Sequence, residues 1–129
     1  MKQTNIDALD AIVNELAAGK KISEALSAVY TKRNVAIRFN ADEAIIDVRN
    51  LGLSNRGANA LVRSRLKTLG AVLTYMETDK ITELRNFGHT SCIELCEAIL
   101  DYYFDRMSMR EKEEFLIDTV IRNECYLKV

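Results

Sequence analysis

A run of basic side chains without acidic neighbours marks the middle of this sequence as a surface for an anion. No Asp or Glu occurs between Asp47 and Glu77. The same interval carries five basic residues, namely Arg49, Arg56, Arg63, Arg65 and Lys67. Local positive charge in a protein of formal net charge −1 favours an anionic ligand, most often a phosphate backbone.

Three polar residues of this interval share a spacing that predicts one helical face. Ser54 is a good N-cap, and a helix from there to about Leu66 places Arg56, Asn59 and Arg63 at i, i+3 and i+7. Apolar residues fall on or near the other side of the helix. Spacing alone leaves an alternative open, in which Arg56 pairs with a carboxylate of the acidic C-terminal third and Asn59 caps a loop.

A second anion site is predicted where a helix follows Gly88. The glycine permits a tight turn, so the first N–H groups of the helix, those of His89, Thr90 and Ser91, would point outward. The N-terminus of a helix attracts anions. Arg85, just before this turn, is a further candidate for a phosphate contact.

Catalytic and metal chemistry is the weaker interpretation of the remaining residues. His89, Cys92 and Cys96 recur at i, i+3 and i+7, and with Cys125 they could hold zinc. The sequence has no CxxC knuckle, so the two helical cysteines are more simply small core residues on an apolar face. Walker and dinucleotide glycine patterns do not occur. We therefore expect neither an enzyme nor a bound metal or cofactor.

The same residues carry a resemblance to a known family. Leu-Ser-x-Arg-x-x-Asn-x-Leu at 53–61, the glycine at 70, and Leu-Arg-Asn-Phe-Gly-x-x-Ser-x-x-Glu at 84–94 resemble the C-terminal domain of the bacterial RNA polymerase alpha subunit. The resemblance covers about residues 47–100. It implies a compact helical domain with helix–hairpin–helix character, which binds A/T-rich promoter DNA across the minor groove and contacts activators.

The resemblance also implies roles for single residues. Arg56 corresponds to the arginine that enters the minor groove, and Asn59 to the asparagine one turn later. Gly88, Ser91 and Glu94 correspond to the glycine, serine and glutamate of the second helix start.

Departures from the family pattern support a second hypothesis. The family has lysine where this sequence has Glu83, and basic residues where it has His89 and Thr90. Each lost phosphate contact lowers affinity and its salt dependence. The runner-up is therefore a protein–protein adaptor on the same scaffold, with DNA binding lost.

The flanking segments predict further elements. The apolar spacing of residues 4–18 predicts an amphipathic helix capped by Thr4, and a second helix is predicted from Ile22 to about residue 32. A plain αα-hairpin is favoured over a DNA-reading helix-turn-helix, because the second helix starts with few base-reading side chains. Residues 34–39 and 125–129 alternate like strands, and pairing them would form one small two-stranded β element.

Toward the C-terminus the sequence predicts a series of helices. Short helices over 71–76 and 78–84 follow a break at Gly70. A long helix runs from residue 89 to about 106. Ser108 and Glu111 form a capping box for a last helix.

Composition limits the classes of protein to which this sequence can belong. The chain has 129 residues, 48% of them apolar, and three cysteines, an odd number that argues against a disulfide framework and favours the cytoplasm. No apolar stretch approaches the ~20 residues that span a membrane. Residues 51–95 carry six basic and four acidic residues, and 96–129 carry five basic and eight acidic. The middle is therefore mildly basic and the C-terminal third acidic.

These observations predict a mainly α protein in three parts. An N-terminal helical hairpin covers 1–45, an RNA polymerase alpha C-terminal-like domain covers 46–106, and a C-terminal helix and tail cover 107–129. The expected function is a DNA-binding, transcription-associated protein whose partners are A/T-rich DNA and transcription proteins. Its expected DNA contacts are Arg56, Asn59, Arg63, Arg85, Gly88, Thr90 and Ser91.

Overall fold

A computed structural model describes residues 1–32, 46–76 and 89–128. The predicted mainly helical fold is confirmed. In the described residues the α-helices are α1 (Gln3–Ala17), α2 (Ile22–Val29), α3 (Asn55–Arg63), α4 (Leu69–Met76), α5 (His89–Arg106) and α6 (Met109–Arg122), with short 3-10 helices at Val48–Leu51 and Glu124–Tyr126.

The protein divides into two compact units. The terminal unit combines residues 1–37 with 103–129, and the central unit covers 38–102. The boundaries predicted near residues 45 and 106 stay predictions.

The first two helices of the terminal unit form the predicted hairpin. Thr4 is not the cap of α1, because the helix begins at residue 3 and Lys2 holds the cap position without a side-chain hydrogen bond. After α1, Gly19 adopts a positive φ of 90°, which suits glycine and turns the backbone toward α2. The core of the unit includes Ala8, Ile12, Ile22, Ala25, Leu26, Tyr30, Leu116 and Val120.

The end of α2 is set by the C-terminal tail rather than by its own sequence. Tyr30 takes an extended conformation and forms an antiparallel bridge with Leu127. The N–H groups of Thr31 and Lys128 donate backbone hydrogen bonds of 2.9 Å on either side of it. The helix therefore stops at Val29, three residues before the predicted end.

The predicted strand at 125–129 is wrong over its described part. Residues Glu124–Tyr126 form a 3-10 helix, and only the bridge at Leu127 has β pairing. Its expected partner, 34–39, lies outside the described residues.

The last helix starts as predicted. The Ser108 hydroxyl accepts a hydrogen bond from the Glu111 N–H at 3.2 Å, and the Ser108 N–H donates to the Glu111 carboxylate at 3.2 Å. This reciprocal pair satisfies two N–H groups at the helix start. Phe115 of this helix packs against Phe104, with ring centroids 5.7 Å apart.

Replacing Tyr30 by phenylalanine is expected to stabilise the terminal unit. Tyr30 is 2% exposed, and its hydroxyl has no hydrogen-bond partner among the described residues. A buried polar group without a partner costs about 1–3 kcal/mol, so Tyr30→Phe should raise the free energy of unfolding by about 1 kcal/mol. Chemical denaturation near neutral pH measures this difference. A loss of stability in the variant would mean that the hydroxyl has a partner.

The same variant should change how the free energy of unfolding depends on alkaline pH. Burial raises the pKa of Tyr30 above its usual value. The unfolded state therefore loses this proton first as the pH rises, and the native state loses stability above about pH 10. Tyr30→Phe should lose less stability than the wild type over that range. Equal losses would contradict a raised pKa of Tyr30 in the native state.

The central unit packs its described helices around an aliphatic core. Asp47 and Thr68 form an antiparallel bridge, which brings the 3-10 helix Val48–Leu51 beside the start of α4. The buried side chains are those of Val48, Leu51, Ala58, Ala60, Leu61, Leu66, Leu69, Val72, Leu95, Ile99 and Leu100.

Two predicted boundaries in the central unit are wrong. The first helix ends at Arg63 rather than near residue 66, because Arg65 takes a positive φ of 66°. The break predicted at Gly70 falls earlier, since α4 begins at Leu69 and the Thr68 hydroxyl accepts from the Ala71 N–H at 3.3 Å. The helix predicted at 78–84 lies outside the described residues.

Candidate nucleic-acid interface

The candidate interface begins with the capped start of α3. Ser54 is the N-cap, as predicted, and its hydroxyl accepts a hydrogen bond from the Gly57 N–H at 3.2 Å. Ser54 has the extended ψ of 154° that an N-cap requires. This cap fixes where α3 begins and therefore which residues fall on each of its faces.

The polar face of α3 is exposed, as the spacing predicted. Arg56, Asn59 and Arg63 are all exposed, while Ala58 and Leu61 are buried on the inner side. Packing of the inner side leaves the three polar side chains directed away from the core. They form a polar stripe that a ligand can reach.

The basic side chains of the described central unit are exposed and have no ion-pair partner among its described residues. All five residues of the basic interval are exposed: Arg49, Arg56, Arg63, Arg65 and Lys67. None of them forms an ion pair within the part of the protein that the structure describes. Within the described part of the central unit Arg56 has no ion pair, and its pairing with a carboxylate of the acidic C-terminal third stays an untested alternative. Unpaired surface guanidinium groups attract anions, and the attraction weakens as salt screens it.

The second predicted anion site, at the start of α5, is partly described. The described part of the helix runs from residue 89, with Thr90 exposed and Ser91 half-buried. Gly88 and Arg85 lie outside the described residues, as does Glu83.

A hydrogen bond between α5 and α3 brings the two predicted elements together. The Ser54 N–H donates to the Glu94 carboxylate at 2.6 Å. Thr90 and Ser91 lie one helical turn before Glu94 on α5, so they share its side of the helix. The contact therefore places the Glu94 carboxylate of α5 beside the start of α3, where Arg56 is the second residue.

Spacing did not reveal the structural role of Glu94. The sequence did contain one local signal of a missing partner for the Ser54 N–H. A capping box has Glu or Gln three residues after the N-cap, but the residue three positions after Ser54 is Gly57. A capped helix without that acid leaves its N-cap N–H to be satisfied from elsewhere.

The zinc alternative receives no support from the described residues, in which no group of three or more His, Cys, Asp or Glu side chains could hold a metal ion. Cys92 is half-buried, but Cys96 is exposed and is not the core residue that its spacing predicted. Helical spacing gives the face of a residue, whereas burial also depends on what packs against that face.

Gly57→Ala should be tolerated and should stabilise α3. A Cβ at this buried position would lie 3.4 Å from the Ser54 hydroxyl oxygen and 3.8 Å from a Glu94 carboxylate oxygen, which are ordinary contacts. Alanine is favoured over glycine in a helix by about 0.5–1 kcal/mol, so the free energy of unfolding should rise by roughly that amount. Chemical denaturation measures it. A loss of 1 kcal/mol or more would mean that the close approach of α5 excludes a methyl group.

A comparison with known protein families finds a similarity that covers this region. Residues 38–101 match the family model for the C-terminal domain of the alpha chain of bacterial RNA polymerase. No individual curated protein and no solved structure gives a significant match. Across the described ranges, no helix combines the length and apolar content needed to cross a bilayer.

Proposed function

We propose, from the premise that this is a bacterial RNA polymerase alpha C-terminal domain-like protein over residues 38–101, that it binds DNA in transcription. The observation that carries the proposal is the exposed stripe of Arg56, Asn59 and Arg63, whose helix start is tied to the first turns of α5. Both elements present groups suited to one phosphate-bearing ligand.

Each residue has a specific role in the proposed complex. Arg56 enters the minor groove of A/T-rich DNA, where a narrow groove concentrates negative potential, and Asn59 supports it. Arg63 binds a backbone phosphate. The N–H groups at the start of α5, near Thr90 and Ser91, bind a second phosphate.

The proposed complex also uses two residues outside the described ranges. Gly88 and Arg85 complete the phosphate contacts on the α5 side. The protein acts by binding rather than catalysis, and it works in the cytoplasm with transcription proteins as further partners.

Fluorescence anisotropy with two labelled duplexes tests the proposal. An A/T-rich duplex and a G/C-rich duplex of equal length are titrated with the 129-residue chain at low and moderate salt. We expect tighter binding to the A/T-rich duplex, and an affinity for both that falls with salt, by a slope of about 0.9 per phosphate contact. Binding to neither duplex at low salt would overturn the proposal.

A protein–protein adaptor is the second candidate function. The C-terminal third carries eight acidic and five basic residues, and α6 exposes three large apolar side chains, Met109, Ile117 and Ile121. Protein interfaces have an apolar core surrounded by a polar rim. Under this alternative, neither duplex binds and the partner is a protein.

A further inference from the structure

Helix α6 starts with a complete capping box, whereas the start of α3 lacks the acidic side chain of such a box. In α6 the N-cap Ser108 and the third helical residue, Glu111, bond reciprocally. In α3 the N-cap Ser54 bonds to the N–H of the third residue, but that residue is Gly57, which has no side chain to return the bond. The N–H of Ser54 donates instead to Glu94, 40 positions away on α5.

The Glu94 carboxylate lies beside the position that a glutamate at residue 57 would occupy. A Cβ built on Gly57 falls 3.8 Å from the Glu94 Oε1 atom, the atom that accepts the Ser54 N–H at 2.6 Å. This separation is within reach of a glutamate side chain. The carboxylate of a capping box is thus present at α3, but it comes from another helix.

We propose that Glu94 completes the capping box of α3 from α5 and thereby positions Arg56 for its ligand. Arg56 lies between the N-cap and the third helical residue, so the cap sets the direction in which its backbone leaves the first turn. Because the carboxylate belongs to α5, the cap also fixes the distance from Arg56 to the start of α5. The inference rests on the proposed function, and it makes Glu94 a positioning residue rather than a ligand contact.

A rival role for Glu94 predicts different mutant behaviour. A carboxylate near a phosphate-binding surface repels the ligand, so loss of its charge alone would tighten binding equally in Glu94→Gln and Glu94→Ala. The glutamine side chain keeps an oxygen that accepts the Ser54 N–H, whereas alanine keeps none. As a positioning residue, Glu94 should make the alanine variant bind an A/T-rich duplex about fivefold more weakly than the glutamine variant. Equal affinities of the two variants would overturn the proposal.

Three further comparisons separate positioning from a general loss of structure. Glu94→Ala with Gly57→Glu rebuilds the box within α3 and should recover most of the lost affinity. Glu111→Ala removes the matching carboxylate from α6 and should reduce stability without changing affinity.

In an Arg56→Ala background, Glu94→Ala and Glu94→Gln should bind alike. A fivefold difference persisting there would show that Glu94 does not act through Arg56.

Amide exchange tests the cap independently of DNA. By NMR, the Ser54 N–H should be protected in the wild type and in Glu94→Gln, and should exchange at least about tenfold faster in Glu94→Ala. Unprotected Ser54 in the wild type would overturn the capping inference even if DNA binds. Protected Ser54 in a protein that binds no duplex would overturn the proposed function and leave the cap as a structural feature of the fold.

Discussion

Arg56→Ala is expected to weaken binding of an A/T-rich duplex by roughly ten- to a hundredfold. The side chain is exposed, and it forms no ion pair with a described residue of the central unit that would compete with the ligand. Truncation removes a full charge and the minor-groove contact together. The variant should therefore also lose the preference for A/T-rich over G/C-rich duplex, which anisotropy with the two duplexes measures.

Two charge-matched variants make this expectation specific. Arg49→Ala removes a charge that is also exposed but belongs to the 3-10 helix rather than to α3, and it should weaken binding to both duplexes slightly and equally. Arg63→Ala should weaken binding of the A/T-rich and the G/C-rich duplex by the same factor. It should also lower the salt slope by about 1, as loss of one phosphate contact does. If Arg49→Ala and Arg56→Ala behaved alike, DNA would be held by general charge and not by the stripe on α3.

Leu61→Ala should destabilise the central unit by about 2–5 kcal/mol. Leu61 is fully buried on the inner side of α3, opposite the polar stripe, and its carbonyl accepts the N–H of Leu66 at 2.9 Å after the helix ends. The truncation loses apolar burial and leaves a cavity beneath the helix that carries Arg56. Chemical denaturation, with amide exchange to locate the loss in the central unit, measures the effect.

A matched truncation on the surface should cost far less. Ile93 on α5 is 46% exposed, so Ile93→Ala is expected to change the free energy of unfolding by less than about 1 kcal/mol. Similar losses for Leu61→Ala and Ile93→Ala would mean that α3 is not packed as described. At temperatures where Leu61→Ala stays folded, its affinity for DNA should remain close to that of the wild type.

Much of the fold follows from interactions between residues close in sequence. The capping box of α6, the N-cap of α3 and the alternation of exposed and buried residues along α3 each involve positions within one or two helical turns. Such local patterns can be interpreted without knowledge of the fold, because helix geometry alone brings i, i+3 and i+4 together. The exposed stripe of Arg56, Asn59 and Arg63 could be predicted for this reason.

Other boundaries depend on partners far away in sequence. The end of α2 is set by a tail whose hydrogen bond to Thr31 spans 95 positions, and Ser54 is held by a carboxylate 40 positions away. Helix propensity favoured a longer α2, and no local pattern marks Glu94 as a cap. The sequence by itself determined which segments are helical and which face of α3 is polar. Only the tertiary structure decided where α2 stops and which acid completes the start of α3, because those hydrogen bonds form only after distant segments have packed.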